Sequence, residues 1–343
     1  MRHRCPPSLT TLTHVKRKIL RIAAALGVAL LLAAAWLAYQ LTHPADLDPY
    51  ADRWMRPAAA APGALRVTFL GVSTLLIDDG ETAILTDGFF SRPDKKNALL
   101  GTVAPDVVVI AKSLERAGIT RLAGVIVGHS HYDHSMDAPE VARRTGALVI
   151  GSESTANVAR GWGLPADRIR VTGDGESLNL GRFRLTMIRS RHVPTVMTGG
   201  TIAEPLVPPV RLHKYAEGGS YSMLIEHGAK SLLVHGSAGF IEGALQGRRA
   251  DVVFLGIGLL GKKDEAYQQA YWREVVRSVG AKRVVPIHWD DFFVPLDQPM
   301  VPLPAPFDDM ERSMAFLIGQ GRKDGVDIRL APAWARIDPW AGF

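Results

Sequence analysis

Four potential metal ligands crowd into the six residues His129-Ser130-His131-Tyr132-Asp133-His134. Imidazole and carboxylate donors suit zinc and similar divalent ions. An extended or turning segment aims His129 and His131 the same way, so both can reach one ion. Asp133 and His134 continue into a turn and can face a second ion a few ångströms away. The bland alternative is a solvated histidine-rich turn. Three histidines and an aspartate packed this tightly behind an apolar strand favour metal binding. A bound divalent ion lowers the pKa of water towards neutrality and holds an electrophilic oxygen, so the cluster predicts metal-assisted hydrolysis.

Such a cluster needs strands that end where the ligands begin. The run 122–127 is a fully apolar strand candidate directly before it. Upstream, 65–70, 73–77 and 82–86 are short, β-rich and turn-bounded, with Asp78-Asp79-Gly80 as the turn between the last two. Helical stretches follow at 112–117 and 138–144, and a strand at 148–150. Further strands are predicted at 183–189, 220–226, 231–235, 251–255 and 283–287, with helices at 240–246, 264–278 and 308–319. A meander followed by alternation predicts an α/β fold, two mixed sheets packed together with helices outside. Residues 193–218 are rich in Pro and Gly and directly follow His192, which suggests an active-site lid.

The segment His-Ser-His-Tyr-Asp-His resembles the H-x-H-x-D-H signature of the metallo-β-lactamase superfamily. Ile188-Arg189-Ser190-Arg191-His192 and Val284-Val285-Pro286-Ile287-His288-Trp289 resemble that family's later histidine motifs. The last is closest to the ascorbate-phosphate lactonase-like and N-acyl-phosphatidylethanolamine phospholipase-like branches. Thr68-Phe69-Leu70-Gly71 and Leu85-Thr86-Asp87-Gly88-Phe89-Phe90 look like the opening strands of those branches. The resemblance spans about residues 64–335 and implies an αββα sandwich with a one- or two-metal site at one edge. It implies that His129, His131 and His192 bind a first metal and that Asp133, His134 and His288 bind a second. Asp87 would accept a hydrogen bond from a ligand histidine and fix its tautomer. Zinc is the ion expected, one or two per chain, with manganese or iron(II) as alternatives.

The pattern breaks in one place. The family's metal-bridging aspartate follows an apolar strand, and here that segment reads Leu232-Leu233-Val234-His235-Gly236-Ser237-Ala238-Gly239. Ser237 takes the expected position, and a neutral hydroxyl is a poor ligand for a divalent ion. The second metal should bind more weakly, or the site should hold one ion. His235 shares a face with Ser237 if the strand continues. Three roles are open for it: substitute ligand, proton shuttle, or packed histidine. Val72 stands where relatives often carry histidine.

Weaker signals remain. Gly256-Ile257-Gly258-Leu259-Leu260-Gly261 matches G-x-G-x-x-G after a strand, but no acid follows about 20 residues on as a dinucleotide site requires. It is expected to be a loop near the metal edge. His227 is expected in a surface turn. His213, Tyr221, Asp290 and Asp291 are candidates for substrate contact.

The favoured reading is a hydrolase that uses a metal-bound hydroxide on an ester, lactone, amide or phosphodiester, with an amphiphilic or lipid-like substrate attractive. Asp133 would orient the nucleophile and His235 could protonate the leaving group. The alternative is a metal-binding protein with weak or no catalysis, because of Ser237. A redox protein on the same fold is disfavoured, since a di-iron branch would prefer glutamate at His131. β-Lactam hydrolysis is not favoured.

Charge narrows the partners. Of 40 basic residues, Arg2, Arg4, Lys16, Arg17, Lys18 and Arg21 lie in the first 21 positions, which hold no acid. The rest balance the 34 acidic residues, so nucleic acid is not an expected partner. Residues 22–41 carry no charge and are long enough to span a bilayer as a helix. Basic residues before the run and Asp46, Asp48 and Asp52 after it predict a cytoplasmic tail (1–21) and an extracytoplasmic, periplasmic domain. Ala33-Ala34-Ala35 offers the alternative of a cleaved signal and a secreted protein. Residues 42–63 read as an Ala/Pro-rich linker, and 64–343 as the catalytic domain. The single cysteine, Cys5, rules out an intramolecular disulfide.

Overall fold

The structure, a computed structural model, describes residues 9–59 and 63–342, so Arg2, Arg4 and Cys5 lie outside the described residues. Strands β1 (Arg66–Phe69), β2 (Leu75–Asp78), β3 (Ala83–Thr86), β4 (Gly124–Ile126), β5 (Leu148–Gly151) and β6 (Ile169–Val171) form most of one sheet. A second sheet holds β7 (Ser177–Leu180), β8 (Phe183–Ser190), β9 (Ser220–His227), β10 (Lys230–His235), β11 (Val252–Gly256), β12 (Arg283–Ile287) and β13 (Asp327–Ile328). The last strand, β14 (Arg336–Ile337), returns to pair with β1. Among the described residues the sheet orders are therefore β14-β1-β2-β3-β4-β5-β6 and β13-β12-β11-β10-β9-β8-β7.

Each sheet is antiparallel on one side and parallel on the other. β3, β4, β5 and β6 run parallel, as do β10, β11, β12 and β13. Parallel strands covered on both faces read as unbroken apolar runs, which is why β4 and β12 are buried at every position. Val67, Ile77, Ile126 and Ile150 of the first sheet share one core with Leu185, Met223, Val234, Phe254 and Val285 of the second. The β2–β3 turn falls at Asp78-Asp79-Gly80 as expected. Gly80 takes φ +87°, and Asp79 Oδ1 accepts the amides of Glu81 and Thr82 at 2.9 and 2.7 Å.

The helices are α1 (Leu9–Thr42), α2 (Lys95–Leu100), α3 (Val107–Ala117), α4 (Tyr132–Ser135), α5 (Ala138–Thr145), α6 (Glu153–Gly161), α7 (Glu265–Tyr271) and α8 (Met310–Asp324). α3 starts five residues before the expected helix at 112–117. Its Val107-Val108-Val109-Ile110 opening favours a strand by type, but the Asp106 carboxylate accepts the amides of Val108 and Val109 and caps a helix instead. The helix expected at 240–246 is a chain of turns, because Gly243 (φ +75°) and Gly247 (φ +76°) interrupt it. α6 was not expected; the Ser152 hydroxyl caps it by accepting the Thr155 amide.

Two N-terminal boundaries differ from expectation. α1 begins well before residue 22, so Arg17, Lys18 and Arg21 of the basic tail belong to the same helix as the apolar run. The stretch Arg17–Thr42 is apolar enough to cross a membrane and is unburied, a property that signal sequences share. The segment 42–63 also departs from a loose tether. Asp48–Arg53 forms a 3-10 turn, and Leu47, Tyr50, Trp54 and Met55 pack against the main core. Met55 N–H donates to Leu330 at 2.9 Å, Leu330 N–H to Arg53 at 3.0 Å, and Ala58 N–H to Arg336 at 2.8 Å. Ala/Pro composition concealed four large apolar side chains and a sheet edge ready to accept backbone pairing.

Candidate metal centre

The strands β3, β4, β8, β10 and β12 all deliver their carboxyl ends to one edge of the sandwich. There Asp87, His129, His192, Ser237 and His288 follow within three residues of a strand end. Ligand sites in α/β sheets characteristically lie outside the carboxyl ends of strands.

The cluster after β4 is built by alternation and a single helical turn. His129 Nε2 and His131 Nδ1 meet at 3.1 Å, so the two rings do point to one place. Ser130 points the other way and its hydroxyl lies 2.9 Å from Thr155 Oγ1 on α6. α4 then carries Asp133 and His134, and Ser135 Oγ donates to the Ser130 carbonyl at 2.9 Å. His192, two residues past β8, brings its ring centroid 4.9 Å from His129 and 4.6 Å from His131. The donor atoms of His129, His131 and His192 lie within 4.8 Å of one another.

Asp133, His134 and His288 form a second group within the same limit. Asp133 Oδ2 is 3.5 Å from His134 Nε2 and 3.3 Å from His288 Nε2. The His129 and His134 ring centroids are 3.8 Å apart, so the two groups adjoin.

Three of the nitrogens turned away from these groups are anchored. His131 Nε2 meets the Met197 carbonyl at 3.0 Å, and His192 Nδ1 the Val193 carbonyl at 2.7 Å. His134 Nδ1 meets Asp87 Oδ2 at 2.8 Å. Asp87 also accepts the Gly128 amide at 2.8 Å and the Ser73 hydroxyl. Such outer contacts fix ring orientation and tautomer in metal sites.

Burial and crowding set the proton affinities. Burial, then the facing His134, His131, His192 and His288 rings, hold His129 far below the usual imidazole range. Burial also lowers His131, and together with His131 it brings His192 down to about 4. All three rings are thus neutral at pH 7, the form that binds a metal. Burial opposes charge on His134 as well, but Asp133 and Asp87 outweigh it and raise its affinity for a proton. Burial likewise opposes ionisation of Asp133, yet His134 and His288 keep it below the usual carboxylate range. Buried His134 Nε2 and His288 Nδ1 have no hydrogen-bond partner. For His134, the free nitrogen is the one turned towards Asp133, where a cation would satisfy it. Two adjoining groups of imidazoles and one ionised carboxylate fit divalent metal ions.

His288 is held by an unusual backbone. It takes φ +58°, and its amide donates to the Val72 carbonyl at 2.7 Å. Val72 itself takes φ +52° and donates to Asp290 Oδ1 at 2.8 Å. Asp290 in turn pairs with buried Arg92. A β-branched residue at positive φ is strained, and Val72, Asp87, Arg92, Leu259 and His288 all take such values around this centre. Strain of this kind collects at functional sites and persists only where surrounding contacts enforce it.

Several expected residues sit elsewhere. His235 is buried with both nitrogens bonded, Nδ1 to Ser222 Oγ at 2.7 Å and Nε2 to the Gly239 carbonyl at 2.7 Å. Of its three open roles, this geometry supports the packed histidine, because neither nitrogen is left for an ion or a leaving group. Ser237 Oγ accepts the Val193 amide at 3.0 Å. Asp290 and Asp291 serve Arg92 and Lys95 rather than facing solvent, and His213 lies exposed on a short turn. His227 is not a free turn residue: its Nε2 meets buried Asp79 at 2.8 Å, beside Phe183. The glycine motif is explained by close packing. A Cβ at Gly256 would stand 2.7 Å from the Gly236 backbone, one at Gly258 3.0 Å from the His288 ring, and one at Gly261 2.1 Å from the Asp309 carbonyl.

Ser73, Arg92, Met197 and Glu217 were not singled out for this centre by sequence, and Val72 was marked only as standing in place of a histidine. Glu217 is buried and accepts the Gly199 amide at 2.6 Å and the Ser220 hydroxyl at 2.8 Å, while its carbonyl accepts the Ser130 amide at 2.8 Å. It ties the 193–218 loop to the ligand segment.

Residues 82–289 match the profile of the beta-lactamase superfamily domain. The chain belongs to the metallo-β-lactamase superfamily. Among relatives, it is 26% identical over 238 residues to a UPF0173 metal-dependent hydrolase of Heliobacterium modesticaldum, covering 66% of this chain and 84% of that one. A UPF0173 metal-dependent hydrolase of Chloroflexus aurantiacus is 26% identical over 202 residues, covering 59% and 78%. The fold is similar to that of Igni18, a metallo hydrolase from Ignicoccus hospitalis, with a TM-score of 0.52 and 16% identity across 80% of this chain and 97% of the other.

Proposed function

We propose that this member of the superfamily is a metal-dependent hydrolase in which His129, His131 and His192 bind one divalent ion and Asp133, His134 and His288 a second. The observation that carries this reading is the pair of adjoining three-donor groups, each within 4.8 Å. Zinc suits the donors, five of the six being imidazoles. When bound, the metal supplies a lowered water pKa and a positive charge beside the electrophilic oxygen.

The chain's own residues do the rest. Asp133, kept ionised, accepts a hydrogen bond from the attacking water and orients it. Asp87 Oδ2 holds His134 by its Nδ1. Met197 and Val193 hold His131 and His192 through their carbonyls, so the 193–218 loop is part of the centre's scaffold. Substrates are esters, lactones, amides or phosphodiesters, and α1 makes an amphiphilic or envelope-borne molecule the favoured choice. α1 is read as a single-pass anchor with the tail in the cytoplasm and the catalytic domain on the periplasmic side.

Ser237 favours a second reading, a metal-binding protein with weak catalysis. Its hydroxyl is turned to Val193, and among the described residues the two ligand groups contain one carboxylate between them, Asp133 of the second group. Elemental analysis of the purified full chain, with turnover on a panel of generic esters and phosphodiesters, separates the two. Bound metal with turnover supports the hydrolase. Bound metal without turnover on any class supports the second reading, and absence of metal overturns both.

A further inference from the structure

The second donor group opens on one side. Side-chain exposure is 14% at His288 and 10% at Asp133 but 0% at His134, so this group meets solvent beside His288. Phe292 stands at that opening. Its ring is edge-on to His288 with centroids 5.8 Å apart, and Phe293 lies against it at 4.8 Å. Both rings are half-buried. Phe292 also packs on buried Tyr132 at 6.2 Å, and Tyr132 on buried Phe89 at 5.8 Å.

The turn that carries the two rings is fixed by its own polar groups. The Val294 amide donates to the Asp291 carbonyl at 3.0 Å, and the Asp291 carboxylate accepts the Phe293 amide at 3.0 Å. Buried Arg92 donates to the Asp291 and Val294 carbonyls at 3.1 and 3.3 Å. Lys95 Nζ donates to Asp291 at 2.9 Å and stands 5.8 Å from the Phe293 ring centroid. A turn already ordered in this way loses little further entropy when a ligand settles on it. Its two phenyl rings keep apolar surface available for burial beside a donor histidine, the usual make-up of a small-molecule subsite.

We propose that Phe292 and Phe293 form a shelf for an apolar chain of the substrate, attached next to the group that reacts at the metal centre. The inference rests on the hydrolase reading of that centre and narrows its substrates to those with an alkyl or aryl chain beside the reacting group. A chain that leaves the second donor group past His288 meets Phe292 first and Phe293 after it. Arg92 and Lys95 are each paired with an aspartate, Asp290 and Asp291, so selection rests on apolar burial and not on charge. Full burial of a methylene is worth about fourfold in affinity, and cover on one side about twofold.

The test is calorimetric titration of the zinc-loaded full chain with water-soluble acetohydroxamate and hexanohydroxamate, whose common hydroxamate head chelates metal. The longer chain should bind the wild type about tenfold more tightly. Phe292→Ala and Phe293→Ala should each cut that ratio to about threefold or less, and Phe292→Leu should keep most of it. Val171→Ala, at an exposed position of the edge strand β6, should leave the ratio at its wild-type value. Metal content is measured on every variant, which separates loss of the centre from loss of the shelf. A wild-type ratio near one overturns the shelf without any variant and leaves the hydrolase reading standing. A ratio that survives both alanine changes, or falls equally in Val171→Ala, overturns it as well. A wild type that retains no zinc overturns the metal centre and the shelf with it. Turnover on p-nitrophenyl hexanoate against the acetate, and on hexyl against ethyl acetate, assigns the chain to the acyl or the alcohol side.

Discussion

Ser237 Oγ accepts the backbone amide of Val193 at 3.0 Å, and the Val193 carbonyl accepts His192 Nδ1 at 2.7 Å. The residue at the bridging position of the superfamily therefore acts on a neighbour of the candidate ligand His192. Gly239 enforces the approach, since a Cβ there would stand 2.2 Å from the Arg191 carbonyl.

Ser237→Asp should restore a bridging carboxylate. Metal content after dialysis is expected to rise towards two ions per chain, or the second ion to bind about tenfold tighter, a change of about 1.4 kcal/mol. Calorimetric titration with zinc measures this. An unchanged isotherm would show that the site's metal count is set elsewhere.

His129→Ala should remove a donor of the first group that also adjoins the second, with loss of metal and of turnover. Elemental analysis and the ester and phosphodiester panel check it together. Retained zinc with normal turnover would sink the assignment of the centre.

Asp87→Asn keeps the side chain's size but weakens three contacts, to Ser73, Gly128 and His134. Outer-shell changes of this kind cost roughly 10–100-fold in metal affinity. Competition with a chromophoric chelator reads the affinity directly, and a value equal to wild type would remove Asp87 from the positioning role.

Asp290→Ala leaves buried Arg92 without its partner and the Val72 amide without its acceptor. Breaking a buried pair from one side costs about 3–5 kcal/mol. Because Val72 also holds His288, metal affinity should fall along with the denaturant midpoint. A loss of stability alone, with unchanged affinity, would uncouple the pair from the centre.

His235 gives the chain an acid sensitivity of its own. Burial, partly offset by the Gly239 carbonyl, lowers it from 6.5 to about 4. Between those values the unfolded chain binds a proton that the native chain does not, so its contribution is full above pH 6.5 and is lost as pH falls to 4. The melting temperature of His235→Gln should therefore fall less steeply than that of the wild type across this window. Parallel curves would mean that His235 is protonated alike in both states.

The ligand types were legible in the chain because their chemistry is local. Spacing alone put His129 and His131 on one side of an extended segment, and hydropathy alone marked residues 22–41 and the strand before Gly128. Ser237 could be flagged from sequence, since it breaks a motif of known order. Its attachment to Val193 could not, because the two lie 44 positions apart. The same holds for Val72, Arg92 and Asp290, whose side chains and backbone meet only when β1, β3 and β12 end at one edge. Composition alone read residues 42–63 as a linker, since backbone pairing of Met55 and Ala58 with Leu330 and Arg336 depends on strand edges that a linear pattern does not show. The sequence determined the donors, the superfamily and the apolar helix. Tertiary structure decided which histidines converge and that His235 is satisfied within the protein, because those depend on contacts between segments far apart in the chain.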